Sequence, residues 1–459
     1  MPHRLSLASM KSGLRTKIFS AVELLDAHLA QIAKQDPKLK AFVRIMPEQA
    51  RATARAVDDG TIEGPLAGIP VTIKDSLNVA GQPTLAGSKL RIGHIAETDS
   101  YVAARLRAAG AVIIGKTNCP EFLMNYETDN FITGRTANPW NPEFSAGGSS
   151  GGEAAAIASF CSAGGIGSDG GGSIRAPAHF CGIAGLKPTP GRIPATGHVP
   201  ECLHPGGLLG VVGPMARNAE DLKILFQVLA GFDDQDPFSV PMPVGSGDIG
   251  GVTVGIWEQF YDVPVLPSVQ TLVRKAGQDL ASAGISVREF NPKGMEKAPN
   301  VWDFFFTRLS EPFLRKLYEG RTEEPHWTLK EFWAETPREY TASQVVEKFG
   351  DRDRMRALLL QQMQETQLLI SPVMSVPAFR PRERSWDIGG KTIRLFDSTK
   401  CMTPFNLLGF PAAVIPYGFA ENGMPVGIQI VGRPWEEDRI LSLAVLLEQI
   451  RGPFPPCPL

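Results

Sequence analysis

Gly147–Pro177 reads GGSSGGEAAAIASFCSAGGIGSDGGGSIRAP, two glycine–serine clusters separated by a run of small apolar residues. Glycine lets consecutive backbone N–H groups point where side chains would forbid it. The clusters therefore predict tight loops that aim polar groups at one place, and Glu153–Phe160 between them predicts a helix of small residues. Two shorter motifs lie inside the stretch. Gly147-Gly-Ser149-Ser-Gly151 fits the nucleophile elbow of α/β-hydrolases, which requires an acid and a histidine downstream. Histidines do follow (His179, His198, His204, His326), so a Ser-His-Asp esterase stands as a runner-up. Gly165-Ile-Gly167-Ser-Asp-Gly170 fits a dinucleotide fingerprint, but that motif opens a helix, and here more glycine, serine and a proline follow.

Outward from this stretch the chain alternates helices and strands. Toward the N-terminus, Gly68–Asp75 (GIPVTIKD) predicts a short alternating strand that delivers Lys74 at its far end. Ser100–Gly110 predicts a helix stopped by glycine and followed at once by the strand AVIIG. That strand also completes Gly110-AVII-Gly115-Lys116-Thr117, a phosphate-loop pattern by letter. It fails on physics, because Ala-Val-Ile-Ile favours a buried strand over an open loop of N–H groups. The first helix is marked by a Ser20/Glu23 capping box, with Phe19 and Leu24 placed as a hydrophobic staple. Toward the C-terminus, helix–glycine–strand recurs at Ser268–Gly284 and ISVREF. AAVIPYGF and VGIQIVG flank Asn422-Gly423 as an antiparallel hairpin, and an amphipathic helix spans roughly Glu436–Gln449. This alternation predicts an α/β fold with parallel strands in a mixed sheet. Pro237–Gly251 is a proline- and glycine-rich seam rather than a linker, and 1–459 is expected to be one catalytic domain with its core at about 64–235.

The aromatic-rich stretch at about 295–345 is the least regular. Trp302, Phe304, Phe305, Phe306, Phe313, Tyr318, Trp327 and Phe332 crowd within it. The plainer expectation is a helical excursion that buries these rings; the sharper one is a wall or lid over the active site. Rings placed far from Ser173 would end the second.

Composition narrows the class further. An apolar fraction of 43%, a charged fraction of 20% and a net charge of -2 fit a globular protein with no nucleic-acid partner. Six cysteines without metal-ligand spacing read as reduced thiols. No segment resembles a signal peptide or membrane anchor, and a cytoplasmic location is expected.

Taken whole, Gly147–Pro177 resembles the signature of the amidase signature family, with its fixed Gly, Ser, Asp, Arg and Pro positions. Gly68–Ser76, Gly115–Pro120, Cys181–Pro190, Val211–Asn218 and Phe405–Pro416 also match in style, and Val301–Asp397 is least family-like. The resemblance implies a large mixed, mostly parallel twisted sheet covered by helices on both faces. It implies Ser173 as nucleophile, Ser149 as bridging serine after a cis peptide bond, and Lys74 as base, with backbone N–H groups of Gly170, Gly171 and Gly172 as oxyanion hole. Three glycines before Ser173 exceed the family's usual pair. Position 170 thus has no side chain, which loosens the loop or opens room for substrate.

The chemistry suits these residues. A serine hydroxyl attacks only with a base, and lysine is a base only when neutral, so its pKa must fall from ~10.4 toward ~7–8. A second hydroxyl, donor and acceptor at once, can relay the proton. Each residue alone has an ordinary explanation: Ser150 as a turn or helix cap, Lys74 as a solvated strand end, His179 as a core residue. Asp169 and Arg175 are expected to form an ion pair that supports the loop. Met124 and Tyr126, with Phe122, suggest an apolar pocket. The expected activity is hydrolysis of small apolar or aryl amides through an acyl-enzyme, extending to esters and carbamates, with no cofactor and no metal. The substrate is a small molecule, and a homodimer is compatible with the resemblance. Gly151-Gly-Glu153 and Cys119-Pro120 look like the acylamidase and fatty-amide branch, and no glutamine-binding arginine segment stands out between Leu317 and Ser343. The alternative, the glutaminase subunit of a transfer-RNA amidotransferase, would need protein partners and tRNA.

Overall fold

The computed structural model describes residues 1–334 and 339–458; positions 335–338, within the aromatic-rich stretch, and 459 lie outside the described residues. Eleven strands form one sheet: β1 (Phe42–Ile45), β2 (Pro70–Lys74), β3 (Val112–Thr117), β4 (Gly164–Asp169), β5 (Ala184–Lys187), β6 (Val211–Ala216), β7 (Thr253–Ile256), β8 (Ser286–Glu289), β9 (Leu368–Pro372), β12 (Ala412–Phe419) and β13 (Pro425–Gly432). A separate hairpin, β10 (Ser385–Ile388) with β11 (Lys391–Arg394), stands apart. The sheet order is β1-β3-β2-β4-β6-β5-β12-β13-β9-β7-β8. Parallel pairs cluster in two blocks, β3-β2-β4 and β9-β7-β8. Antiparallel strands join the blocks and include the expected β12-β13 hairpin. β6 and β7, on either side of the proline-rich seam, both enter this sheet.

Side chains alternate across a strand, and two cores follow from that. Along β12, Ala412 and Val414 enter one core while Ala413 and Ile415 enter the other. Helices Gly151–Ala158 and Arg175–Cys181 pack in the first core, and helices Tyr101–Ala108, Ala219–Leu229 and Glu437–Arg451 in the second. The capping box forms as expected: Glu23 N donates to Ser20 Oγ at 3.1 Å, and Ser20 N donates to Glu23 Oε2 at 2.8 Å. The phosphate-loop look-alike is β3, buried along its whole length, and the dinucleotide look-alike is β4 with Gly170. The strand expected to deliver Lys74 is β2, buried at all five positions because it lies inside the sheet with helices over both faces.

The aromatic stretch is a chain of short helices, Ala298–Asp303, a π-helical turn at Phe304–Arg308, Glu311–Lys316 and Trp327–Lys330. Trp302, Phe304, Phe305 and Phe332 are buried, whereas Phe313 is 67% exposed. No described helix is long and apolar enough to cross a membrane.

Candidate active site

β2 carries Lys74 to the centre of the molecule, where its side chain is fully buried. Its Nζ donates to three hydroxyls: Ser149 Oγ at 2.7 Å, Ser150 Oγ at 3.0 Å and Ser168 Oγ at 3.1 Å. Three neutral acceptors satisfy an ammonium in number without supplying negative charge. Burial therefore dominates and pushes the Lys74 pKa down to about 8, while the Asp169 and Glu153 carboxylates pull the other way. Glu153 is itself buried between Thr72 and Thr117, and burial raises its pKa to about 7.

Ser149 follows a cis peptide bond at Gly148–Ser149. With Ser173 it opens onto a cleft of about 250 Å³. Ser150 N donates to Ser173 O at 3.1 Å, which ties the two glycine–serine clusters together. Ser150 stands at the N-cap position of helix Gly151–Ala158, as its sequence suggested, yet its hydroxyl makes no cap bond and serves Lys74 instead.

The loop before Ser173 is held from several sides. Asp169 Oδ1 accepts from Gly172 N at 2.7 Å, and Oδ2 from Ile174 N at 3.1 Å. Arg175 grips the same carboxylate through Nε and Nη2, each at 3.0 Å. It also donates to Met402 O and to Gln429 Oε1. Burial alone would raise the Asp169 pKa, but the charge and hydrogen bonds of Arg175 hold it well below the usual carboxylate range. The expected ion pair is thus present and fully buried.

Two site expectations are corrected here. Gly172 N–H is spent on Asp169, so it cannot also hold an oxyanion; the N–H groups of Gly171 and Ser173 have no acceptor among the described residues and stay available. Tyr126 is not among the residues lining the cleft. Its hydroxyl donates to Gly171 O at 2.8 Å and so buttresses the loop from behind. Met124 does line the cleft, with Phe122, Leu314, Phe306 and Phe313. Of the four histidines that the α/β-hydrolase reading offered, His204 lines the cleft with its ring edge-on to Phe238, and the other three make hydrogen bonds elsewhere, His326 with Thr328 Oγ1. His179 Nε2 meets Val376 O at 3.1 Å while its Nδ1 accepts from Gly427 N. His198 borders the cleft but bonds Pro200 O and Ser76. Among the described residues no histidine bonds Ser149 or Ser173, and no three His, Cys, Asp or Glu side chains gather as a metal would require. Ser168 and Asn406, which sequence reasoning did not single out, also build the site, as does Trp302 of the aromatic stretch.

Fold and cleft together define an amide-hydrolysing enzyme. The chain belongs to the Amidase family, whose model matches residues 23–441. It is 35% identical to a glutamyl-tRNA(Gln) amidotransferase subunit of Methylococcus capsulatus (strain ATCC 33009 / NCIMB 11132 / Bath), over 97% of each chain. Its structure resembles that of a 6-aminohexanoate cyclic dimer hydrolase complexed with substrate (TM-score 0.88, 27% identity, 99% of each chain covered). It also resembles a bacterial aryl acylamidase of the amidase signature family (TM-score 0.87, 27% identity, covering 97% of this chain and 96% of that one).

Proposed function

We propose that this chain hydrolyses small apolar or aryl amides through an acyl-enzyme on Ser173. The observation that carries the reading is Lys74, buried and, among the described residues, bonded only to hydroxyls, two of which (Ser149 and Ser168) share the cleft with Ser173. Neutral Lys74 accepts the Ser149 proton as Ser149 accepts that of Ser173, whose oxygen attacks the carbonyl carbon. The N–H groups of Gly171 and Ser173 receive the oxyanion, and such a donor is worth ~3 kcal/mol in the transition state. The relay then runs backwards: Ser149 gives its proton to the departing nitrogen and regains one from Lys74. Water attacks the acyl-enzyme by the same route and frees the acid. Esters and carbamates present the same carbonyl geometry and are further candidate substrates.

The cleft supports the apolar class. Phe122, Met124, Phe306, Phe313 and Leu314 line it, and no arginine or lysine does among the described residues. A second reading, a glutaminase subunit of a tRNA amidotransferase, is favoured by the 35% identity to the Methylococcus protein. The two diverge on one feature. Free glutamine carries an α-carboxylate, which a site binds with a fixed cation.

The test is turnover of acyl-anilides, aryl esters, an aryl carbamate and glutamine by the purified chain, with Ser173→Ala alongside. Cleavage of the apolar substrates, abolished in the variant, is expected. Turnover of glutamine alone would replace this reading with the amidotransferase one; undiminished turnover by Ser173→Ala would end both.

A further inference from the structure

The stretch after position 297 sets two rings directly on the glycines before Ser173. Trp302 and Phe306 stack with centroids 4.8 Å apart and planes 15° from parallel. Trp302 Nε1 donates to Gly170 O at 2.8 Å. A Cβ at position 170 would stand 2.6 Å from Phe306 Cε2, and one at position 171 would stand 2.2 Å from Trp302 Cζ2. The rings therefore occupy the space that side chains at 170 and 171 would fill. Of the two, only Phe306 reaches the cleft wall.

A trans peptide places its C=O and N–H on opposite sides of one plane. Trp302 pins the carbonyl of the Gly170–Gly171 peptide, so the N–H of Gly171 is turned away from the indole and has no acceptor among the described residues. The next peptide is fixed likewise, with Tyr126 on Gly171 O and Asp169 on Gly172 N.

We infer that Trp302 is a positioning residue for the oxyanion-binding N–H of Gly171, and that Phe306, admitted by the missing side chain at position 170, sets the size of acyl group the cleft accepts. This rests on the serine-hydrolase reading of Ser173. The roles separate kinetically. Loss of the indole N–H slackens the loop in the transition state and lowers kcat, whereas loss of the Phe306 ring changes which acyl groups fit.

The test uses the p-nitrophenyl esters of acetate, octanoate and benzoate, with fluorophosphonate labelling of Ser173 as a substrate-independent control. Trp302→Phe keeps the stacking surface and should lower kcat about tenfold on every ester, with KM moved less than about twofold. Trp302→Tyr is the second variant if it fails to fold. Phe306→Ala, or Phe306→Leu, should raise the octanoate-to-acetate ratio of kcat/KM about tenfold. Gly170→Ala, which displaces the far end of that ring, should shift the same ratio in wild type and add nothing in Phe306→Ala. A loss confined to KM in Trp302→Phe, or an unmoved ratio in Phe306→Ala, overturns the inference while labelled Ser173 leaves the serine reading intact. Wild type that takes no label overturns both.

Discussion

Lys74 and Lys116 end up on neighbouring strands, both fully buried, and differ in what they touch. Lys116 pairs with Asp75 at 2.9 Å and also donates to Pro83 O and Thr84 Oγ1; burial still lowers its pKa, but the Asp75 charge opposes that shift at contact distance. Among the described residues Lys74 Nζ bonds hydroxyls alone. The pH dependence follows from that contrast. Lys74 works as a base only when neutral, so kcat/KM should fall about tenfold per pH unit below its value of about 8 and level off above it. The Glu153 carboxylate favours the ammonium, and Glu153→Gln removes that charge; the acid limb of the profile should then move to lower pH. A shift to higher pH would mean that Glu153 does not act on Lys74 through charge. At this scale the sequence was partly legible. Lys74, Ser149 and Ser173 stood out through the resemblance of their segments to the family signature. Ser168 did not, because a hydroxyl on a strand carries no signal until the fold brings an ammonium to it. Tyr126 was misread because an aromatic residue beside the signature predicts a pocket wall as readily as a hidden hydrogen bond.

Secondary structure was legible wherever local chemistry decided it: the caps at Ser20 and Ser100, the glycine stops, the hairpin at Asn422-Gly423. It was silent where tertiary contacts decide, as in β2, whose Thr72 bonds Glu153 inside the protein. The π-helical turn at Phe304–Arg308 likewise leaves no sequence pattern of its own; such turns recur at functional sites. Helix Gly151–Ala158 shows why small residues were needed between the two clusters. A Cβ at Gly152 would lie 2.4 Å from Asn118 N, 2.5 Å from Asn118 O and 2.6 Å from Ala41 O, all backbone atoms that cannot swing aside. Gly152→Ala should therefore force the helix away from the loop after β3 and cost about 3 kcal/mol. Thermal melting measures this, and an unchanged Tm would show that the helix shifts freely. Because the same helix starts beside Ser149 and Ser150, activity should fall even in the folded fraction.

Across the whole molecule, the nucleophile loop depends on chain segments far from it in sequence. Arg175 reaches Met402 O and Gln429 on β13, while Asn406 Nδ2 donates to Asp169 Oδ1 and to Leu209 O. One buried ion pair thus ties the loop after β4 to the C-terminal part of the sheet. No spacing rule foretells that, since Asn406 and Gln429 lie more than two hundred residues downstream of Asp169. Replacing Arg175 with methionine keeps much of the volume and leaves Asp169 as an uncompensated buried carboxylate, which typically costs about 3–5 kcal/mol. The sign of the pH dependence should invert with it. In wild type the Asp169 pKa is depressed, so its contribution is present above the unfolded value of ~3.9 and is lost as pH falls through the lower folded value. In Arg175→Met, burial without a partner raises that pKa above the unfolded one. The carboxyl then takes up a proton on folding, and stability falls as pH rises through the raised value. Relative to wild type, Arg175→Met should recover stability on acidification toward pH ~4.5, read as the difference in denaturation midpoint. Adding Asp169→Asn should restore stability near neutral pH but not activity, because an amide cannot accept at both oxygens from Gly172 and Ile174. Equal pH slopes for Arg175→Met and wild type would mean that water or another cation reaches Asp169 once the guanidinium is gone.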